Sequence, residues 1–166
     1  MVPGYICYDF GMRFQLAQLN IARLLHPLDH PQIADFVAGL DEINQLAERS
    51  PGFVWRLKTD SGNATDIQHP WSADPFMLVN MSVWETPEDL KNYVYRSGHL
   101  DFYLKRAQWF EKPVQAHYVL WWIPAGHIPK LAEAQERLEH YRRHGATPHA
   151  FWFGKLFAAA AEAAVR

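Results

Sequence analysis

Four short polar side chains sit where a strand interior is normally apolar. Gln18 and Asn20 alternate within FQLAQLNIAR, and Asn80 and Ser82 alternate within FMLVNMSVWE. In a strand, residues two apart share a face. Gln18 and Asn20 therefore share one face with Leu16 and Ala22, and Asn80 and Ser82 share one with Leu78 and Trp84. Buried amides and hydroxyls are costly unless hydrogen-bonded. If the two strands are neighbours, roughly 4.8 Å apart, the four groups form one polar cluster. Arg56, on the strand that opens at Phe53, is read as pointing the same way. The cluster is either a satisfied structural network or the polar floor of a pocket. Alternation alone leaves open whether that face meets helices or a second subunit.

His99 follows Ser97-Gly98 at the start of a helical piece. A helix N-terminus disfavours imidazolium, so a neutral ring is expected. Such a ring can accept a proton, donate a hydrogen bond or ligate iron. Trp84, Trp109 and Trp121 are candidate pocket walls. His140 and His144 lie four apart in HYRRH, a spacing that puts both on one helix face and can hold a metal. No third ligand is apparent in the sequence and Arg142-Arg143 oppose a cation, so no metal is expected there. No phosphate loop, nucleophile elbow or metalloprotease motif is present.

The elements that must position these residues follow from patterning. Phe14 to Arg23 reads as a strand. A helix opens at Pro31 and ends near Arg49, before the stop signal Ser50-Pro51-Gly52. Phe53 to Thr59 and Phe76 to Glu85 read as strands two and three. Thr86-Pro87-Glu88-Asp89 is a helix start, with a hydroxyl cap, proline at the first position and acids in the first turn. A second helical piece runs from His99 to about Glu111, a fourth strand from Ala116 to Ile123, and an amphipathic helix from Pro129 to His144, closed by Gly145. The order β-α-β-β-α-β is that of a ferredoxin-like α+β fold with a four-stranded antiparallel sheet, in spatial order 4-1-3-2, and a C-terminal helical extension. Both helices of the core would lie on one face. The other face is expected to be apolar and uncovered, which calls for a partner. A homodimer closing two sheets face to face would supply it, with Phe151-Trp152-Phe153 and the alanine-rich 158–164 stretch reaching across.

The chain has 166 residues, and 49% hydrophobic with 20% charged residues is globular composition, which excludes disorder for the bulk of the chain. The expected organisation is an extension over 1–11, a domain over 12–125 and a packing extension over 126–166, with Met12 a possible start. A net charge of −2 and no basic stripe argue against nucleic acid as the main partner. No apolar run approaches the roughly 20 residues of a membrane helix. Cys7 is the single cysteine, so no intrachain disulfide forms and a cytoplasmic location is the default. The 24 aromatic residues (7 Trp, 7 Tyr, 10 Phe) fit either core filling or an aromatic-lined pocket.

The stretch NMSVWETPEDLKNYVYRSGHLDFY resembles the antibiotic-biosynthesis-monooxygenase (ABM) superfamily, in which a strand ending in W-E leads to a helix, a serine and a histidine. Pro51-Gly52-Phe53 matches the P-G-F that opens its second strand. With LAQLNIARLL, SPGFVWRL, YRSGH and LWWIPAGH, the chain is similar to a bacterial domain-of-unknown-function family within it, over residues 14 to about 153. That resemblance implies a dimeric α+β barrel. It implies a small monooxygenase working on an aromatic or phenolic substrate without organic cofactor. There His99 would be the proton acceptor, and Asn20, Asn80 and Ser82 would stabilise the developing oxyanion. Gln18, Arg56, Trp84, Trp109 and Trp121 would complete the substrate site. The alternatives are haem binding, with His99 as axial ligand and Asn20 and Trp84 matching the residues of haem-degrading relatives, and a non-catalytic dimer that binds a small aromatic.

Overall fold

The computed structural model describes residues 12–67 and 73–159. The expected N-terminal extension, Cys7 and the end of the alanine-rich stretch lie outside them. Strand β1 spans Phe14–Arg23, β2 Phe53–Arg56, β3 Met77–Trp84 and β4 Tyr118–Pro124. They form one antiparallel sheet in the order β2-β3-β1-β4, as the sequence pattern predicts. Helix α1 (Ala34–Arg49) follows a 3-10 turn over Pro31–Ile33, which absorbs the expected first turn. Helix α2 is Pro87–Arg96, α3 is His99–Leu104 and α4 is Leu131–His144. The helical piece expected to reach Glu111 stops sooner, passing into a 3-10 turn over Lys105–Gln108.

Local chemistry places these elements. Thr86 Oγ1 accepts from the Asp89 amide at 3.1 Å and caps α2, with Pro87 at its first position. Gly52 has φ +75°, and a Cβ there would lie 2.2 Å from the Asp89 carboxyl. Any larger residue would push α2 away from the entrance to β2. Gly39 lets α1 approach α3, since a Cβ would come within 2.6 Å of the Phe102 ring.

The two faces of the sheet bury different things. On one, Leu16, Trp84 and Leu120 pack with Ala47 of α1 and Leu90 of α2. On the other, Ala17, Leu19, Val83, Val119 and Trp121 pack under Ala134 and Leu138 of α4. Those five sheet residues are 0% exposed within the single chain. The expectation of an uncovered apolar face is therefore corrected: α4 returns across it and fills it. The tail is corrected with it. The backbone of Phe151 pairs with Leu120, and the Phe151 ring is buried on the α1/α2 side, where Phe153 and Phe157 also pack. Among the described residues, α4 and the returning tail thus bury in cis the sheet surface that was expected to meet a second subunit.

Candidate functional site

The register of β1 against β3 sets Gln18 opposite Ser82 and Asn20 opposite Asn80. Strand β2 adds Arg56 opposite Ser82, and β4 adds Tyr118 opposite Asn20. The polar cluster thus forms, on the face that meets α1 and α2. Gln18 Nε2 donates to Asn80 Oδ1 at 2.6 Å and to Ser82 Oγ at 3.0 Å. Trp84 Nε1 donates to the same Ser82 oxygen at 2.8 Å. An indole N–H is only a donor, so Ser82 must accept from it. With both lone pairs taken, the Ser82 hydroxyl has only its proton left to offer. Gln18 has spent both amide protons, and Asn80 has spent its oxygen. The network therefore presents the Ser82 O–H and the Asn80 NH2 group as donors.

Gln18 and Ser82 are buried, yet Asn80 is exposed although it sits in an internal strand. The cause is β2, which ends at Arg56 instead of running to Thr59. Leu57 makes one more bond to Met81, and then Thr59 turns back to bond Asn63. Beyond that point no described residue pairs with β3 on this side, and the floor opens at Asn80. Arg56 guards the opening with its charge committed: Nε bonds Glu48 Oε1 at 2.9 Å. Burial raises the Glu48 carboxyl, but Arg56 and Lys58 bring it below its usual range.

His99 reaches the cluster through aromatic contacts. The Ser97 hydroxyl donates to the Tyr93 carbonyl and accepts from the His99 amide, breaking the helix so that α3 starts in a new direction. The His99 ring packs on Tyr93 (centroids 4.7 Å), and Tyr93 stacks on Trp84 (5.1 Å). His99 Nδ1 lies 3.3 Å from the Val94 carbonyl. A carbonyl only accepts, so Nδ1 carries the proton and Nε2 keeps its lone pair. Burial lowers the His99 pKa, outweighing the Val94 bond, which raises it. The ring is neutral, as its sequence position predicts, though burial rather than the helix terminus is the main cause.

Asn20 lies half-buried beside Asn80. Trp84 is fully buried and links the polar floor to Tyr93. Trp109 is also buried, packed with Phe36 and Phe102 in a neighbouring cluster, so it supports the His99 side without reaching the polar floor. Trp121 is corrected: it lies on the opposite face, where Nε1 donates to Glu133 at 2.9 Å. Its odd position in β4 against the even-numbered floor carried that signal once the register was known.

Two phenols were not among the expected site residues. Tyr93 donates to the Ile43 carbonyl at 3.2 Å, and burial pushes its pKa up. Burial pushes Tyr118 up to about 12. Both stay protonated at neutral pH. The register of β4 against β1 sets Tyr118 beside Asn20.

A haem iron at His99 Nε2 would need a flat slot against the ring. Tyr93, Phe102 and Tyr103 instead surround it, with ring centroids 4.7, 6.5 and 6.3 Å away. Neither of two open surface hollows includes His99 in its lining. One, of about 290 Å³, is lined by residues including Tyr141 and Arg142; the other, of about 300 Å³, by residues including Phe53 and Arg56. The residues around His99 do not fit a haem.

Topology and site together define a ferredoxin-like α+β domain with a hydrogen-bond-donating floor between sheet and helices. The chain belongs to the family described as a domain of unknown function, DUF3291, whose model matches residues 15–166. None of the curated proteins matches the sequence. Among solved structures, it is similar to the NE2512 protein of unknown function from Nitrosomonas europaea (14% identity, 72% of this chain and 99% of that one, TM-score 0.42). It is similar to SnoaB, a cofactor-independent oxygenase from Streptomyces nogalater (13% identity, 69% and 95%, TM-score 0.43). It is also similar to Rv0793 from Mycobacterium tuberculosis (14% identity, 70% and 99%, TM-score 0.44).

Proposed function

We propose that the protein is an ABM-type oxygenase that acts on a small phenolic or enolisable aromatic substrate without an organic cofactor. The observation that carries this reading is the exposed Asn80 amide in an internal strand, with its oxygen already engaged by Gln18. Its NH2 group and the Ser82 hydroxyl are aimed donors, suited to an enolate or phenolate oxygen. Preorganised donors of this kind favour the ionised substrate, whose electron-rich ring then supplies the electrons for reaction with dioxygen. His99, neutral with Nε2 unprotonated, serves as proton acceptor. Asn20 is the second amide at the oxygen, Trp84 holds Ser82 in place, and Arg56 with Glu48 borders the entrance.

The test is oxygen uptake over a panel of phenols and quinols, with haemin titration alongside. Asn80→Ala and His99→Ala should each lower turnover at least about a hundredfold, the scale set by one lost oxyanion donor or general base. Saturable binding of a panel compound with no oxygen uptake would show a binding protein. Unchanged turnover in both variants would overturn the site.

A further inference from the structure

We propose that Glu136, His140 and His149 form a binding site for a divalent transition metal of the zinc type. The sequence offers His140 and His144 as a helical pair and no third donor. The fold supplies different partners. Glu136 and His140 lie one turn apart on α4, and Gly145, at φ +72°, ends that helix and turns the chain back. Thr147 and Ala150 then pair with each other, and the tight turn between them returns His149 to the helix. One donor atom from each of Glu136, His140 and His149 lies within 4.8 Å of the others.

The donor set and spacing suit such an ion. Zinc–nitrogen and zinc–oxygen bonds run about 2.0–2.2 Å, which sets neighbouring donors about 3.2–3.6 Å apart. His149 Nε2 is 2.8 and 3.0 Å from the two Glu136 oxygens, so that pair needs to part only slightly. The His140 ring lies beside this pair, with its centroid 4.7 Å from that of His149. The Thr147 hydroxyl, 3.0 Å from His140 Nε2, orients the ring, as outer partners of metal-binding histidines do. On binding, the proton of the neutral His149 ring moves by way of solvent from Nε2 to Nδ1, and the ion takes its place beside Glu136. Glu136 and His149 are 53% and 36% exposed, so the ion can enter from solvent and keep water on its open positions.

Arg137 opposes the ion. Its Nη1 lies 2.7 Å from His149 Nδ1 and 2.6 Å from the His149 carbonyl. The Glu136 carboxylate would touch the ion, whereas the guanidinium, with Nη1 behind the His149 ring and Nε 3.7 Å from Glu136 Oε2, stays beyond contact. Attraction at contact outweighs repulsion at that distance. When Nδ1 takes up a proton, Arg137 keeps its bond to the carbonyl. The site's consequence is mechanical: an ion here would pin the 145–150 turn to α4, next to the Phe151–Leu120 pairing.

The experiment titrates tag-free protein with cobalt(II), read by visible absorption, with zinc(II) as competitor and melting temperature as a second readout. One saturable ion per chain and a raised melting temperature are expected. His140→Ala, His149→Ala and Glu136→Gln should each weaken binding at least tenfold, while far-ultraviolet circular dichroism checks the fold. Glu136→Gln keeps the side chain's size and an acceptor oxygen for His149, and guards against a folding failure. His127→Ala, which removes an exposed histidine paired with Glu133 at 2.7 Å, should leave binding unchanged. Absence of saturable binding below millimolar ion overturns the proposal. So does loss of binding in His144→Ala with none in His149→Ala, which would place the ion on the helical pair instead.

Discussion

Replacing Ser82 by alanine tests the donor network at its hub. The Ser82 hydroxyl is the acceptor for Trp84 Nε1 at 2.8 Å and Gln18 Nε2 at 3.0 Å. Trp84 is 0% exposed, so its indole N–H has no access to water once the hydroxyl is gone. Gln18 keeps its bond to Asn80 and loses less. One buried donor left without a partner costs ~1–3 kcal/mol. For a chain of this length that is about 3–9 °C in melting temperature. Urea unfolding should show a lower midpoint at unchanged slope. Trp84→Phe in the same background removes the stranded donor, so the double variant should lose less than the two single losses added. A Ser82→Ala variant within a few tenths of a kcal/mol of the parent, or strictly additive losses, would refute the shared-acceptor assignment.

Two further outcomes follow from the same geometry. Burial holds the His99 pKa below its ordinary 6.5, so the unfolded chain takes up that proton first as pH falls. The neutral ring's contribution to stability is complete above about 6.5 and is lost as pH falls toward the folded pKa. NMR titration should find His99 titrating below 6.5, and His99→Gln should flatten the slope of stability against pH in that window; an unshifted titration would refute it. Trp121→Phe should cost ~1–3 kcal/mol, from smaller packing and a lost Glu133 bond. It should leave turnover and ligand affinity unchanged, because Trp121 faces α4; a tenfold fall in either would show that this face carries the site.

Much of the floor was legible because strand alternation is local. Leu16, Gln18, Asn20 and Leu78, Asn80, Ser82, Trp84 were grouped correctly with no knowledge of contacts. The helix start at Thr86-Pro87 and the break at Ser97-Gly98 were equally local, since a cap or a stop depends on a few adjacent residues. Trp121 was misplaced because aromatic type says nothing about face. The opening at Asn80 was invisible because it depends on where β2 leaves the sheet, and Leu57 to Thr59 have a pattern that would continue it.

The sequence by itself determined the elements, their order and which polar residues share a strand face, since period, caps and turn residues act within a few positions. Tertiary structure alone decided which face meets the helices and that α4, rather than a second subunit, covers the other. It also decided that His149 comes back to Glu136 and His140. Those outcomes depend on where a returning segment crosses the sheet, and that is set by burial of apolar area across the whole chain rather than by any neighbouring residues.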